Sequence, residues 1–104
     1  MKNDKERRDY INNPENWILA FGSGNIENIR TMVLTYKDER WARLEVYREY
    51  ESFDFEKLET VKKKGWVETA LYAVSKDGEI GEPISKTQIM NRMKELDMKE
   101  RTEE

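Results

Sequence analysis

Across residues 31–49, apolar and polar side chains alternate with a period of two. Met32, Leu34 and Tyr36 fall on one face of an extended chain. After the charged break Lys37-Asp38-Glu39-Arg40, Ala42, Leu44 and Val46 do the same. A half-buried strand needs this pattern, because successive side chains point to opposite faces. The alternation predicts an antiparallel hairpin, and the rest of the chain is organised around it. A helix starting at Asp38 competes, since Glu, Arg, Ala and Leu are good helix formers. Val46, Tyr47 and Tyr50 favour the pleated surface instead. Residues 66–74 alternate in the same way, with Val67, Leu71 and Ala73 on one face, and predict a third strand. Ser75-Lys76-Asp77-Gly78 is a turn signal, and Asp-Gly is the strongest pair in it. A short extended piece follows over 79–83, where Pro83 limits pairing.

Other stretches carry helical spacing or capping chemistry. Residues 3–12 predict a short polar helix, with Asn3 as cap and Glu6 in the capping-box position. Its large apolar residues are Tyr10 and Ile11, so it should dock weakly and fray, with Arg7 and Arg8 on a solvated face. Asn13-Pro14 suits the start of a second helix over 14–21, which buries Trp17, Ile18, Leu19 and Phe21. That apolar run fits a buried strand equally well, because periodicity does not separate the two at this length. Gly22-Ser23-Gly24-Asn25 reads as a turn, and Asn25 can cap one helical turn through Ile29. Residues 51–64 predict a helix capped by Ser52 or Asp54. Phe55, Leu58 and Val61 are at helical spacing, Glu56 and Glu59 lie early, Lys62, Lys63 and Lys64 lie late, and Gly65 stops it. The clearest local signal is at the end. Ser85 and Gln88 form a capping box, Ile84 and Ile89 a hydrophobic staple, and Ile89, Met93 and Leu96 an apolar stripe with Met90 beside it. These predict a helix over 86–98, with a frayed charged tail over 99–104. Met90, Met93 and Met98 fit either a core stripe or an adaptable binding surface.

Taken together, the elements predict one small α+β domain over 1–104: an antiparallel hairpin and a third strand in one sheet, with helices packed on at least one face. Strand order is not readable from the pattern.

Composition narrows the chemistry. The chain has 104 residues and contains neither Cys nor His. Disulfides, thiolate nucleophiles and cysteine-ligated metals are thereby excluded, as are the usual general base and the commonest transition-metal ligand. With 22 Asp and Glu against 19 Lys and Arg, the charge is nearly balanced. A basic nucleic-acid binder would show a positive excess or a basic block. No calcium-loop pattern and no phosphate-loop or dinucleotide fingerprint is present. The expectation is a protein with no cofactor, no bound metal and no catalytic activity. No apolar run approaches the roughly 20 residues of a membrane-spanning helix. The N-terminus lacks the apolar core of a secretory signal, so the expected location is the cytoplasm, with no membrane partner.

One surface then draws attention. On the hairpin face opposite Met32, Leu34 and Tyr36, alternation places Thr31, Val33 and Thr35 together with Trp41, Arg43, Glu45 and Tyr47. The third strand adds Trp66, Glu68, Ala70 and Tyr72 to it. Large aromatics interleaved with charges make either a second core layer under a helix or a binding surface. As a surface, Trp41, Arg43, Glu45, Tyr47, Trp66, Glu68 and Tyr72 would engage another protein, since Trp, Tyr and Arg are the types that most often anchor interfaces. An acidic patch of Glu51, Asp54, Glu56 and Glu59 would suit a basic protein groove. The alternative is single-stranded RNA or DNA stacked on Trp41, Tyr47, Trp66 and Tyr72, with Arg43 and Arg48 on its backbone. Against this, the glycine–aromatic strand motif of RNA-recognition domains is absent, and Glu45 and Glu68 would repel phosphate.

In size and texture the chain resembles accessory proteins of phages and mobile elements. Among these are anti-CRISPR inhibitors, many of them compact, cysteine-poor α+β proteins that occlude a nuclease surface. The resemblance is one of profile. No motif carries it, no residue is transferred by it, and it covers no alignable stretch.

Overall fold

The structure is a computed structural model and describes residues 3–20 and 28–103. Helix α1 (Asp4–Asn12) leads through a short 3-10 turn (Pro14–Asn16) into strand β1 (Trp17–Leu19). Strands β2 (Ile29–Tyr36), β3 (Glu39–Asp54), β4 (Glu59–Val74) and β5 (Ile80–Pro83) follow, and helix α2 (Lys86–Glu103) ends the chain. The strands form one five-stranded sheet in the order β1-β2-β3-β4-β5, and every neighbouring pair is antiparallel. The fold is α+β, as the pattern predicted, with a longer sheet.

Both helices lie on one face of this sheet. Trp17, Leu34, Trp41 and Leu71 project from β1 to β4 and meet Ile11 of α1 with Ile89 and Met93 of α2. Burying such side chains contributes roughly 1.5–3 kcal/mol apiece and makes this cluster the core. The capping box forms as predicted: Ser85 N–H donates to Gln88 Oε1 at 2.9 Å and Gln88 N–H to Ser85 Oγ at 3.1 Å. The α2 backbone is helical to Glu103, past the predicted end at 98.

Helix α1 corrects the expectation of weak docking. Its cap is the predicted one, Asn3 accepting from Glu6 N–H at 2.9 Å. Ile11 is buried in the core, and Trp17 Nε1 donates to the Ile11 carbonyl at 2.7 Å. Arg7, expected on a solvated face, is buried instead. Its Nε and Nη2 donate to Asp97 Oδ2 of α2 at 3.2 and 3.1 Å. Asp97 also accepts from Tyr36 Oη and, at 3.0 Å, from Lys37 Nζ. Burial alone would raise the Asp97 pKa, but the hydrogen bonds from Tyr36, Lys37 and Arg7 outweigh it and hold the group at about 2. Burial and the bond to Asp97 push the Tyr36 hydroxyl up to about 12. This clasp ties both helices to the first hairpin turn.

That turn sets the register of everything after it. Only Lys37 and Asp38 form the loop, so Tyr36 pairs with Glu39, Leu34 with Trp41 and Met32 with Arg43. Lys37 takes φ +54°, an unfavourable conformation for a residue with a Cβ, and is held there by Asp97. The predicted turn at 75–78 also forms, with Gly78 at φ +86° and its N–H on the Ser75 carbonyl at 3.0 Å.

Two predicted helices are strands. Pro14–Asn16 turns only once before β1, so the apolar run of 14–21 goes to an edge strand rather than a helix. The glycine-rich turn, the Phe21 end of that run and the Asn25 cap fall outside the described residues. The helix expected over 51–64 is the end of β3, a four-residue turn and the start of β4. Asp54 does cap, but it caps the turn: its Oδ1 accepts from the N–H groups of Glu56 and Lys57 at 2.9 and 3.2 Å. Acid before base suits a helix dipole, but a hairpin uses the same order. A central turn sets Glu49 opposite Lys64 and Glu51 opposite Lys62. Gly65 lies inside β4.

Candidate interaction surface

The two-residue loop gives partners across β2 and β3 opposite parity. Trp41, Arg43, Glu45 and Tyr47 therefore share the face of Met32, Leu34 and Tyr36. That is the helix-covered face, which corrects the face assignment made from alternation alone. Ala42, Leu44 and Val46 stand with Thr31 and Val33 on the other face. A bulge adds a second correction. Leu44 pairs with Ala70 and Glu45 with Glu68, so Thr69 is an extra residue in β4. Its Oγ1 donates to the Leu44 carbonyl at 3.1 Å. The extra residue puts Trp66 and Glu68 on the helix-covered face with Leu71. Ala70 and Tyr72 go to the opposite face, as does Val67.

The residues expected to form one surface are thus divided. Trp41, 2 % exposed, is core under the helices and takes no part in the protein's own outer surface. Tyr72 stands alone on the far side. Arg43, Glu45, Tyr47, Trp66 and Glu68 are brought together beyond the core. Glu45 is buried, and Arg30 Nε donates to its Oε1 at 2.7 Å. Arg43 Nε lies 3.1 Å from Glu45 Oε2, an ion pair without an aligned hydrogen bond. The Arg43 guanidinium is also 4.4 Å from the centre of the Trp17 ring. Glu68 faces Glu45 across the strands, and the two arginines offset that like-charge pairing. Lys86 Nζ approaches Glu68 to 4.0 Å. Tyr47 and Trp66 pair edge to face at 5.4 Å and remain 41 % and 38 % exposed.

Sequence reasoning missed Arg30. Its guanidinium lies 4.2 Å over the Trp66 ring while it holds Glu45. The signal was a two-residue turn, which sets Arg30 directly across from Glu45. One face of the Trp66 ring is therefore already covered by a cation.

The sheet face away from both helices is the larger feature. Val33, Leu44, Val46, Val67, Ala70, Tyr72 and Val74 stand there half-buried by one another, with Ala42 buried among them. No described helix lies over them. A solvated face of an antiparallel sheet ordinarily reads polar. Among the described residues no group of three or more carboxylates could hold a metal ion, and no helix is long and apolar enough to cross a membrane. No protein-family model, no curated protein and no solved structure matches this chain.

Proposed function

We propose that this chain is a small non-catalytic module that binds another protein. The observation that supports it is the apolar sheet face that no described helix covers. A contiguous apolar patch on a small domain marks an interaction site more often than it is left to water. Its centre, around Leu44, Val46, Ala70 and Tyr72, is depleted of charge, and Arg40 and Lys63 stand toward its ends. That is the composition of an interface core with a polar rim. The narrower form of this reading, an inhibitor that occludes a nuclease of host defence, rests on the resemblance in size and texture. Nucleic acid is less well served. The open face carries few aromatic rings, one face of Trp66 is taken by Arg30, and Glu45 and Glu68 adjoin it.

The test exchanges one cross-strand pair on the open face. Val46 sits opposite Val67, so Val46→Glu with Val67→Lys sets a charge pair in the middle of the apolar patch while keeping a favourable cross-strand contact. Affinity capture from the source lysate, with and without nuclease treatment, is compared for the two proteins. A nuclease-resistant, stoichiometric protein held by the wild type and lost by the variant is the expected result. Capture that disappears on nuclease treatment favours the nucleic-acid reading. An unchanged yield from the variant removes the open face from consideration.

A further inference from the structure

Strands β3 and β4 run past the rest of the sheet. Strand β2 ends opposite Val46, and among the described residues the last contact on that side is Tyr47 N–H to the Asn28 carbonyl at 2.8 Å. On the other side β5 reaches only Tyr72 and Val74. From the Arg48–Gly65 pair to the Asp54–Glu59 pair the two strands, among the described residues, pair only with each other. This ribbon is about 23 Å long at roughly 3.3 Å per residue. The Cα radius of gyration is 16.2 Å and the longest extent 53 Å, against about 13 Å expected for the radius of a compact chain of this length.

An isolated two-stranded ribbon is marginal in water, and no described strand pairs with either edge of this one. The tip of this one is also apolar. Phe55 and Leu58 are 81 % and 75 % exposed, and Phe53, itself exposed, meets Phe55 edge to face at 5.0 Å. The charges are sorted along the arm. Around the tip, Asp54, Glu56 and Glu59 face a single lysine, Lys57. Around the root, Arg48, Lys62, Lys63 and Lys64 outnumber two carboxylates, Glu49 and Glu51. The root also carries the exposed Tyr47–Trp66 pair.

An apolar acidic tip and an aromatic cationic root are complementary to each other, and one arm holds both. We propose that the arm is a dimerisation arm and that its occupant is the arm of a second copy, lying antiparallel. A two-fold axis through the middle of the paired arms places each tip on the other root, so both contacts are made at once and the assembly closes. A parallel arrangement would set acid on acid and base on base. The antiparallel one also leaves the two helix layers at opposite ends, where they do not collide. The residues from Tyr47 to Trp66 match the about 20–30 per side that a stable interface uses. This proposal is independent of the open sheet face.

The test reads mass in solution. By sedimentation equilibrium the wild type should behave at about 100 µM as a particle of twice the 12.5 kDa chain mass. A tip variant, Glu56→Lys with Glu59→Lys, and a root variant, Arg48→Glu with Lys63→Glu, should each dissociate at least about 100-fold more readily. Asp54 stays in place because it caps the turn, and Arg48 and Lys63 face Gly65 and Tyr50 rather than a charge. An equimolar mixture of the two variants should regain the dimer mass, since each tip then meets a root of opposite sign. The absence of cysteine allows a second measurement that does not depend on charge. Leu58→Cys and Arg48→Cys chains, mixed under oxidising conditions, should join to each other in preference to themselves. A monomeric wild type overturns the proposal and leaves the arm to a different protein. A dimer that ignores both charge variants, a mixture that stays monomeric, or a preferred tip-to-tip disulfide also overturns it.

Discussion

Asp97 shows how a single side chain can hold three elements. It receives Arg7 from α1 and Tyr36 and Lys37 from the first hairpin turn, and it sits on α2 itself. Its folded-state pKa is depressed, from 3.8 to about 2. The contribution of its charged form is therefore complete above the unfolded value and is lost as pH falls through the folded one. Tyr36 is shifted the other way, from 10.0 to about 12, so its contribution is complete below pH 10 and is lost as pH rises through about 12. Asp97→Asn removes the buried carboxylate from Arg7 and leaves it only the exposed Asp4, at 2.9 Å, so a loss of about 3 kcal/mol at pH 7 is expected. On a chain of this size that lowers the melting temperature by roughly 12 °C or more. The variant should also lose stability less steeply than the wild type between pH 3.8 and 2. Urea titrations across that range check both statements. Equal acid slopes in the two proteins would place the titrating group elsewhere.

At the scale of elements, local chemistry was legible wherever it was self-contained. The Ser85–Gln88 box, the Asn3 cap and the Asp77-Gly78 turn all form where the sequence puts them, because each needs only neighbours within four residues. What the sequence did not display was register. A two-residue loop at Lys37-Asp38 and one extra residue at Thr69 decide which face every later side chain takes, and neither alters the alternation itself. Of the candidate residues, Arg43, Glu45, Tyr47, Trp66 and Glu68 therefore lie together, whereas Trp41 goes to the core and Tyr72 to the other face. The helix expected over 51–64 failed for a related reason: its charge order serves a hairpin as well as a helix, and pairing with β3 decided between them. Gly65 separates the two outcomes experimentally. As a helix stop it would resist replacement by Ala, at a cost of about 1 kcal/mol. Inside β4 an added Cβ would meet the Tyr50 ring at 3.6 Å, an ordinary contact. Gly65→Ala should leave thermal stability unchanged or raise it by a few tenths of a kcal/mol, measured by calorimetry.

On the scale of the whole molecule, the body and the arm are built from the same two strands but differ in what supports them. Every residue of the core cluster lies outside the arm. Replacing 49–64 by Asn-Gly, a good two-residue loop between the directly paired Arg48 and Gly65, should leave a cooperatively folded body that is monomeric by mass. Loss of the cooperative melt would mean that the arm contributes to the fold as well as to assembly. The three tryptophans record the same division. Trp17 and Trp41 are sealed in the body, whereas Trp66 stands at the arm's root beneath a guanidinium. The chain thus carries its own optical reporters: two shielded indoles emit toward the blue, and a third emits toward the red within reach of iodide. Loosening of the body and events at the arm can be followed as separate signals from one unlabelled sample.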